Sequence, residues 1–116
     1  MKRRFRLRRS ADFKRVRRLG KSFAHPLIVL IKLRNECENS RFAVAAGRSV
    51  GNAVRRNRAK RLLRAAIQTR AELIKPGWDI LLISRQPLAE STLRDTQLAL
   101  DNLLRRAGLI QNTDDN

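Results

Sequence analysis

The sequence predicts a single α+β domain with the element order α-β-β-β-α-β-α and a mixed sheet packed by helices. Three observations carry that prediction. Two stretches rich in β-forming residues, 22–33 and 41–46, flank a turn-forming cluster at 35–40. A long amphipathic helical pattern begins near Asn52, with apolar residues recurring at helical spacing. After the breaker Pro76-Gly77 come a near-continuous apolar strand, Trp78 to Ser84, and a last stripe of leucines. With 116 residues the chain can bury one modest core and not two, so residues 1–116 are read as one domain.

Each element has a local cause. Residues 1–9 form a basic arm. Ser10 can cap a short helix running to Arg18 and stopped by Gly20, with Phe13 and Val16 three apart on its apolar side. Residues 22–33 read as one strand in which Pro26 marks an edge or a bend. Arg41 to Ala46 is expected to run antiparallel to it across the turn, and Arg48 to Val50 to continue as a short third strand. Thr92 can cap the final helix, with Asp95 in the capping-box position. Leu93, Leu100, Leu103, Leu104 and Ala107 make its core stripe, Gly108 stops it, and 109–116 are expected to fray. Strand, long helix and strand make one βαβ unit, and chain chirality alone would make such a crossover right-handed in roughly 98% of cases.

Charge narrows the function. A formal net charge of +17 and a pI near 11.9 impose self-repulsion on a compact monomer, so a neutralising polyanion is expected in the working state. The excess is uneven. Residues 1–21 hold eleven Lys and Arg against Asp12, whereas 90–116 hold five acids and three bases, which assigns binding to the arm and middle helix and scaffolding to the last helix. The longest apolar run has five residues, as at 27–31, and no apolar signal core follows the basic start, so a soluble intracellular protein without membrane contact is expected. The single cysteine, Cys37, lies between Glu36 and Glu38 in a loop, where no internal disulfide is possible and nothing favours a reactive thiolate.

The middle helix is the most informative segment. Arg48, Arg55, Arg56, Arg58, Lys60, Arg61 and Arg64 fall within seventeen residues, and no acid occurs between 41 and 71. Winding the segment at 100° per residue places Asn57, Lys60, Arg61, Arg64 and Gln68 on one face. Ala59, Leu62, Leu63, Ala66, Ile67 and Leu73 fill an opposing arc of about 140°. A merely solvated face normally mixes in Glu and Asp at i,i+4. This one is built to meet phosphates.

The inventory for protein-based catalysis is missing. A two-metal nuclease needs converging carboxylates and a metal-free ribonuclease needs a histidine pair, yet the acids are dispersed and His25 is the one histidine. No phosphate-binding glycine loop, zinc spacing or Ser/His/Asp set is present. The polypeptide is therefore expected to hold no catalytic residue and no metal. Of the aromatics, Phe42 and Trp78 read as core and Phe5 belongs to the arm. Phe13 can pack on the sheet or line a cleft beside it.

Gly51-Asn52-Ala53-Val54 followed by Arg55-Arg56-Asn57-Arg58-Ala59-Lys60-Arg61-Leu62-Leu63-Arg64 closely resembles the signature helix of bacterial ribonuclease P protein subunits, with its Arg-Asn-Arg core at Arg56, Asn57 and Arg58. The resemblance extends to Arg6-Leu7-Arg8-Arg9 and Asp12-Phe13 and to the strand near 79–85. It implies a left-handed crossover and an accessory role in removing the 5′ leader of precursor transfer RNA. Catalysis would rest with a magnesium-requiring RNA subunit in the cytoplasm, no cofactor would be bound by the polypeptide, and no DNA partner is expected. The catalytic RNA would meet Arg48, Asn52, Arg55, Arg56, Asn57, Arg58, Lys60, Arg61 and Arg64, and the leader Phe13, Arg15, Arg17, Lys32 and Arg85. Arg17 and Ile31 stand where relatives can carry aromatics, which shifts weight from stacking to charge in leader binding. The competing reading is a structural ribosomal protein or other non-catalytic RNA-binding protein.

Overall fold

The first helix, α1 (Ser10–Leu19), places Asp12 in its first turn and Arg17 and Arg18 in its last, in accord with the helix dipole. These features belong to a computed structural model that describes Arg6, Leu7 and residues 9–110. Arg9 occupies the N-cap and no side chain caps the helix, so Ser10 is its first residue rather than its cap. Gly20 ends it under steric constraint. A Cβ at Gly20 would sit 2.5 Å from Ile31 Cγ2 and from the Val16 carbonyl oxygen, so only glycine lets the chain turn this close to the sheet.

The stretch read as one strand divides at Pro26 into β1 (Lys21–Ala24) and β2 (Ile28–Arg34), an antiparallel hairpin. His25 and Ile28 exchange backbone hydrogen bonds of 2.9 and 3.3 Å, and proline, lacking a donor, occupies the turn between them. β3 (Arg41–Ala46) does not pair with β2 as expected. Instead β4 (Trp78–Ser84) inserts between them, antiparallel to β2 and parallel to β3, giving the order β1-β2-β4-β3. Arg48–Val50 is a 3-10 turn closed by bonds to the Gly47 and Arg48 carbonyls, not a third strand. The expected element order survives because the hairpin supplies the extra strand.

Between β3 and β4 runs α2 (Ala53–Gln68), whose N-cap Asn52 accepts from the Arg55 amide at 3.0 Å. Gly51 precedes it at φ 133°, a backbone state reserved for glycine, and so sets the angle of entry. Ala59, Leu63, Ala66 and Ile67 are fully buried and Leu62 half-buried, matching the expected dry arc. Leu73 departs from it. The helix ends at Gln68, and the 3-10 turn Ala71–Leu73 buries Ala71 while leaving Leu73 68% exposed.

The last helix, α3 (Leu93–Arg106), begins with Thr92 accepting from the Asp95 amide at 3.1 Å. Leu100, Leu103, Leu104 and Ala107 are buried as expected, whereas Leu93, at the first helical position, is 41% exposed. Gly108 at φ 70° and the bonds Gly108 N–H to Arg105 O and Leu109 N–H to Leu104 O complete a Schellman stop. Leu109, taken as the start of a frayed tail, is fully buried. Residues 111–116 lie outside the described residues.

The two faces of the sheet are unequal. α2 and α3 cover one face over the main core, including Ile28, Leu30, Phe42, Ile80 and Leu82. On the other face α1 covers a smaller cluster of Leu7, Val16, Ile31, Ala43 and Leu81. No helix among the described residues is long and apolar enough to cross a membrane.

Candidate RNA-binding surfaces

Burying Ala59, Leu63 and Ile67 turns the opposite side of α2 outward. Asn57, Arg61, Arg64 and Gln68 are exposed there, with Lys60 half-exposed at their flank. Arg48 is exposed in the preceding 3-10 turn. Two of the helix's arginines are used differently. Arg55 donates to the Val50 carbonyl at 2.9 Å and pairs with Glu90 at 3.0 Å, while Arg58 donates to the carbonyls of Ala89 at 2.7 Å and Ser91 at 3.2 Å. These bonds fasten α2 to the 3-10 segment before α3 (Gln86–Glu90). They hold the helix, while Arg61 and Arg64 have no partner among the described residues. Arg56 is half-buried, and its Nε has no hydrogen-bond partner among the described residues.

On the other face, a helix of ten residues cannot roof the whole sheet. Val29, Ala45 and Ile83 remain half-buried beside α1, an apolar trough floor with Phe13, itself half-buried, at its wall. A crevice of about 70 Å³ joins Arg6, Leu7 and Phe13 to Ala43, Val44 and Arg64 at the β3 edge, where Leu7 N–H donates to the Phe42 carbonyl at 2.8 Å. Phe13 and Arg64, assigned from sequence to two different partners, thus border one crevice. Beneath α1, Asp79 is wholly buried and receives Arg41 through two bonds of 2.8 Å and Asn35 through a third. Bonding to Asp79 raises the Arg41 pKa against the opposing effect of burial. Arg15 lies 3.6 Å from Asp79 and 3.9 Å from Asp12, so it is tied to this network while remaining half-exposed.

The five residues read as leader contacts do not all converge. Phe13, Arg15 and Arg17 share α1, with Arg17 exposed. Arg85 is exposed beyond β4 and lines an open groove of about 670 Å³ with His25, Pro26, Ser49 and Gln86. Lys32 is on the opposite face of the sheet, its Nζ bonded to the Ala107 carbonyl at 2.6 Å, so it cannot join Phe13 in one cleft. Period-two alternation along β2 puts Ile31 and Lys32 on opposite sides, and it was the unresolved register that hid this from sequence. His25 accepts from the Leu27 amide at 3.1 Å through Nδ1, a structural bond within the hairpin turn. Among the described residues no three His, Cys, Asp or Glu side chains come together where a metal ion could be held.

Sequence and fold comparisons converge. Residues 1–108 match the family model described as Ribonuclease P. The ribonuclease P protein component of Bacillus velezensis is 38% identical over 110 residues, covering 94% of this chain and 94% of the relative. That of Clostridioides difficile is 36% identical over 104 residues, covering 89% and 91%. The Staphylococcus aureus RNase P protein structure superposes with a TM-score of 0.81 at 30% identity, covering 92% of this chain and 98% of that one. The Thermotoga maritima RNase P protein gives a TM-score of 0.78 at 32% identity with the same coverage. These relatives are ribonuclease P proteins and not ribosomal proteins.

Proposed function

The chain belongs to the ribonuclease P protein family, and on that premise we propose that it assists a catalytic RNA subunit in cutting the 5′ leader from precursor transfer RNA. The observation that carries this reading is the outward face of α2, where Asn57, Arg61, Arg64 and Gln68 stand exposed with no acid anywhere between residues 41 and 71. Such a face meets phosphates and 2′-hydroxyls of a folded RNA without reading bases in a groove. The trough beside α1, bounded by Phe13, Arg15 and Arg17, holds the leader, and Arg85 meets it beyond the end of β4. Lys32, on the far side of the sheet, takes no part in that trough.

The protein's contribution is binding and charge. Catalytic RNA and precursor transfer RNA repel one another, and a cationic wedge between them lowers that repulsion and the magnesium concentration the reaction needs. Bond cleavage and its magnesium ions belong to the RNA subunit, in the cytoplasm. The polypeptide supplies position and not a general acid or base.

Reconstitution tests this directly. Protein freed of RNA should leave precursor transfer RNA intact, yet restore cleavage when added to its RNA subunit at low magnesium. His25→Ala should reconstitute as well as the natural protein. Cleavage by the protein alone, lost in His25→Ala, would overturn the accessory role.

A further inference from the structure

The end of the sheet remote from the start of α2 carries a second concentration of cations that neither proposed surface uses. β1 begins there with Lys21, β2 ends there with Lys32 and Arg34, and β4 begins there with Trp78. The cations are held in place. Lys32 Nζ lies 4.5 Å from the centre of the Trp78 ring and 5.6 Å from that of Phe23, in addition to its bond with Ala107 at the end of α3. The Arg34 guanidinium lies 5.3 Å from the Trp78 ring, and Lys21 Nζ lies 5.5 Å from that of Phe23. Arg106 reaches the other end of β1, where it donates to the Ala24 carbonyl at 2.8 Å, while Lys75 closes the crossover from α2 beside Lys32, its amide bonded to the Leu109 carbonyl.

Three properties separate this cluster from an ordinary solvated face. Burial and then the like charges of Lys21 and Lys75 lower the Lys32 pKa, so the cations press on one another. Cation–π contacts and a carbonyl bond have already fixed the side chains of Lys21, Lys32 and Arg34, which removes part of the entropy loss that binding would otherwise exact. The aromatic faces are covered by cations, so bases cannot stack on them directly. What the patch offers an incoming strand is fixed positive charge suited to backbone phosphate.

We propose that this patch, built on Lys21, Lys32, Arg34 and Lys75, is a second docking surface for the catalytic RNA, continuing the interface of α2 across the far end of the sheet. The proposal rests on the reading of α2 as a catalytic-RNA surface. Two features favour that RNA over the leader. The patch lies on the α2/α3 side of the sheet and is reached from α2 through Lys75, whereas Phe13 lies on the other side. It is also separated from the first turn of α2 by the length of β4, about 20 Å for seven residues, a span suited to a folded RNA and not to a few nucleotides held beside α1.

The test uses the full chain and three double variants. Arg34→Ala with Lys75→Ala alters two exposed side chains of the patch, Arg61→Ala with Arg64→Ala alters α2, and Lys14→Ala with Arg94→Ala makes the same charge change on neither surface. Binding to the catalytic RNA is titrated against salt. The patch variant should lose about tenfold in affinity relative to the Lys14/Arg94 control, with a log–log salt slope shallower by about two units. Its preference for precursor over mature transfer RNA should be unchanged. Affinity and slope equal to the control would overturn the proposal, as would a loss confined to the precursor, which would assign the patch to the leader. Failure of the α2 reading would show separately, as an unaltered Arg61/Arg64 variant.

Discussion

The two faces of the sheet divide the work of the molecule between them. Under α2 and α3 lies a dry core in which Phe42, Leu63, Ile67, Leu82, Leu100 and Leu104 are each at most 1% exposed. Under α1 the apolar cluster has only five buried residues among those described, and Val29, Ala45 and Ile83 are left half-covered. One face stabilises the fold. The other is left under-packed, with half-covered apolar surface beside α1. The same division runs through the arginines. Arg41, Arg55, Arg58 and Arg70 hold protein groups, while Arg61 and Arg64 hold none among the described residues.

The largest expected effect falls where the two sides join. Arg41→Ala would leave the wholly buried Asp79 with Asn35 and the half-exposed Arg15 at 3.6 Å, which should destabilise the fold by about 3 to 5 kcal/mol in urea or thermal unfolding. An unchanged midpoint would mean that Asp79 does not depend on that pair. Leu63→Ala should cost about 2 to 5 kcal/mol through a cavity in the main core, and Leu62→Ala, half-buried, clearly less. Equal losses would show that the dry side of α2 is wrongly oriented.

The next effects concern binding. Phe13→Ala should weaken precursor transfer RNA by about 1 to 3 kcal/mol, with mature transfer RNA and catalytic RNA little changed and the circular dichroism native. Arg61→Ala with Arg64→Ala should instead weaken the catalytic RNA and shallow its salt slope by about two units. Identical losses for every RNA in both variants would merge the two faces into one nonspecific surface. Smallest is Arg58→Ala, expected to lower stability by about 1 kcal/mol by releasing the carbonyls of Ala89 and Ser91, measurable as a small shift in the unfolding midpoint.

What could be read in the sequence was what is specified locally. Thr92 as a cap, Gly108 as a stop, β4 as a buried strand and the acid-free face of α2 all follow from neighbours within a few residues. Long-range pairing decided the rest. Nothing near Pro26 distinguishes a bend from a reversal, and nothing in β2 or β3 announces that a strand some forty residues later will lie between them. The misplacement of Lys32 has the same origin, since without the register its side cannot be known. The roles of Arg55 and Arg58 were hidden because three of their acceptors are backbone carbonyls, which leave no trace in residue identity, and the fourth, the Glu90 carboxylate, belongs to a residue far along the chain.

The central position of β4 also bears on how the chain acquires its shape during synthesis. The β1–β2 hairpin can close as soon as it leaves the ribosome, but β3 has no strand to join until Trp78 to Ser84 has emerged. Until then the nascent chain carries two unmatched strand edges and a helix with its apolar stripe uncovered, and a basic segment already able to touch ribosomal RNA. Closing the sheet demands contacts far apart in sequence, which slows folding relative to a local hairpin. The sheet thus closes late, when the strand made last takes the place between strands made first.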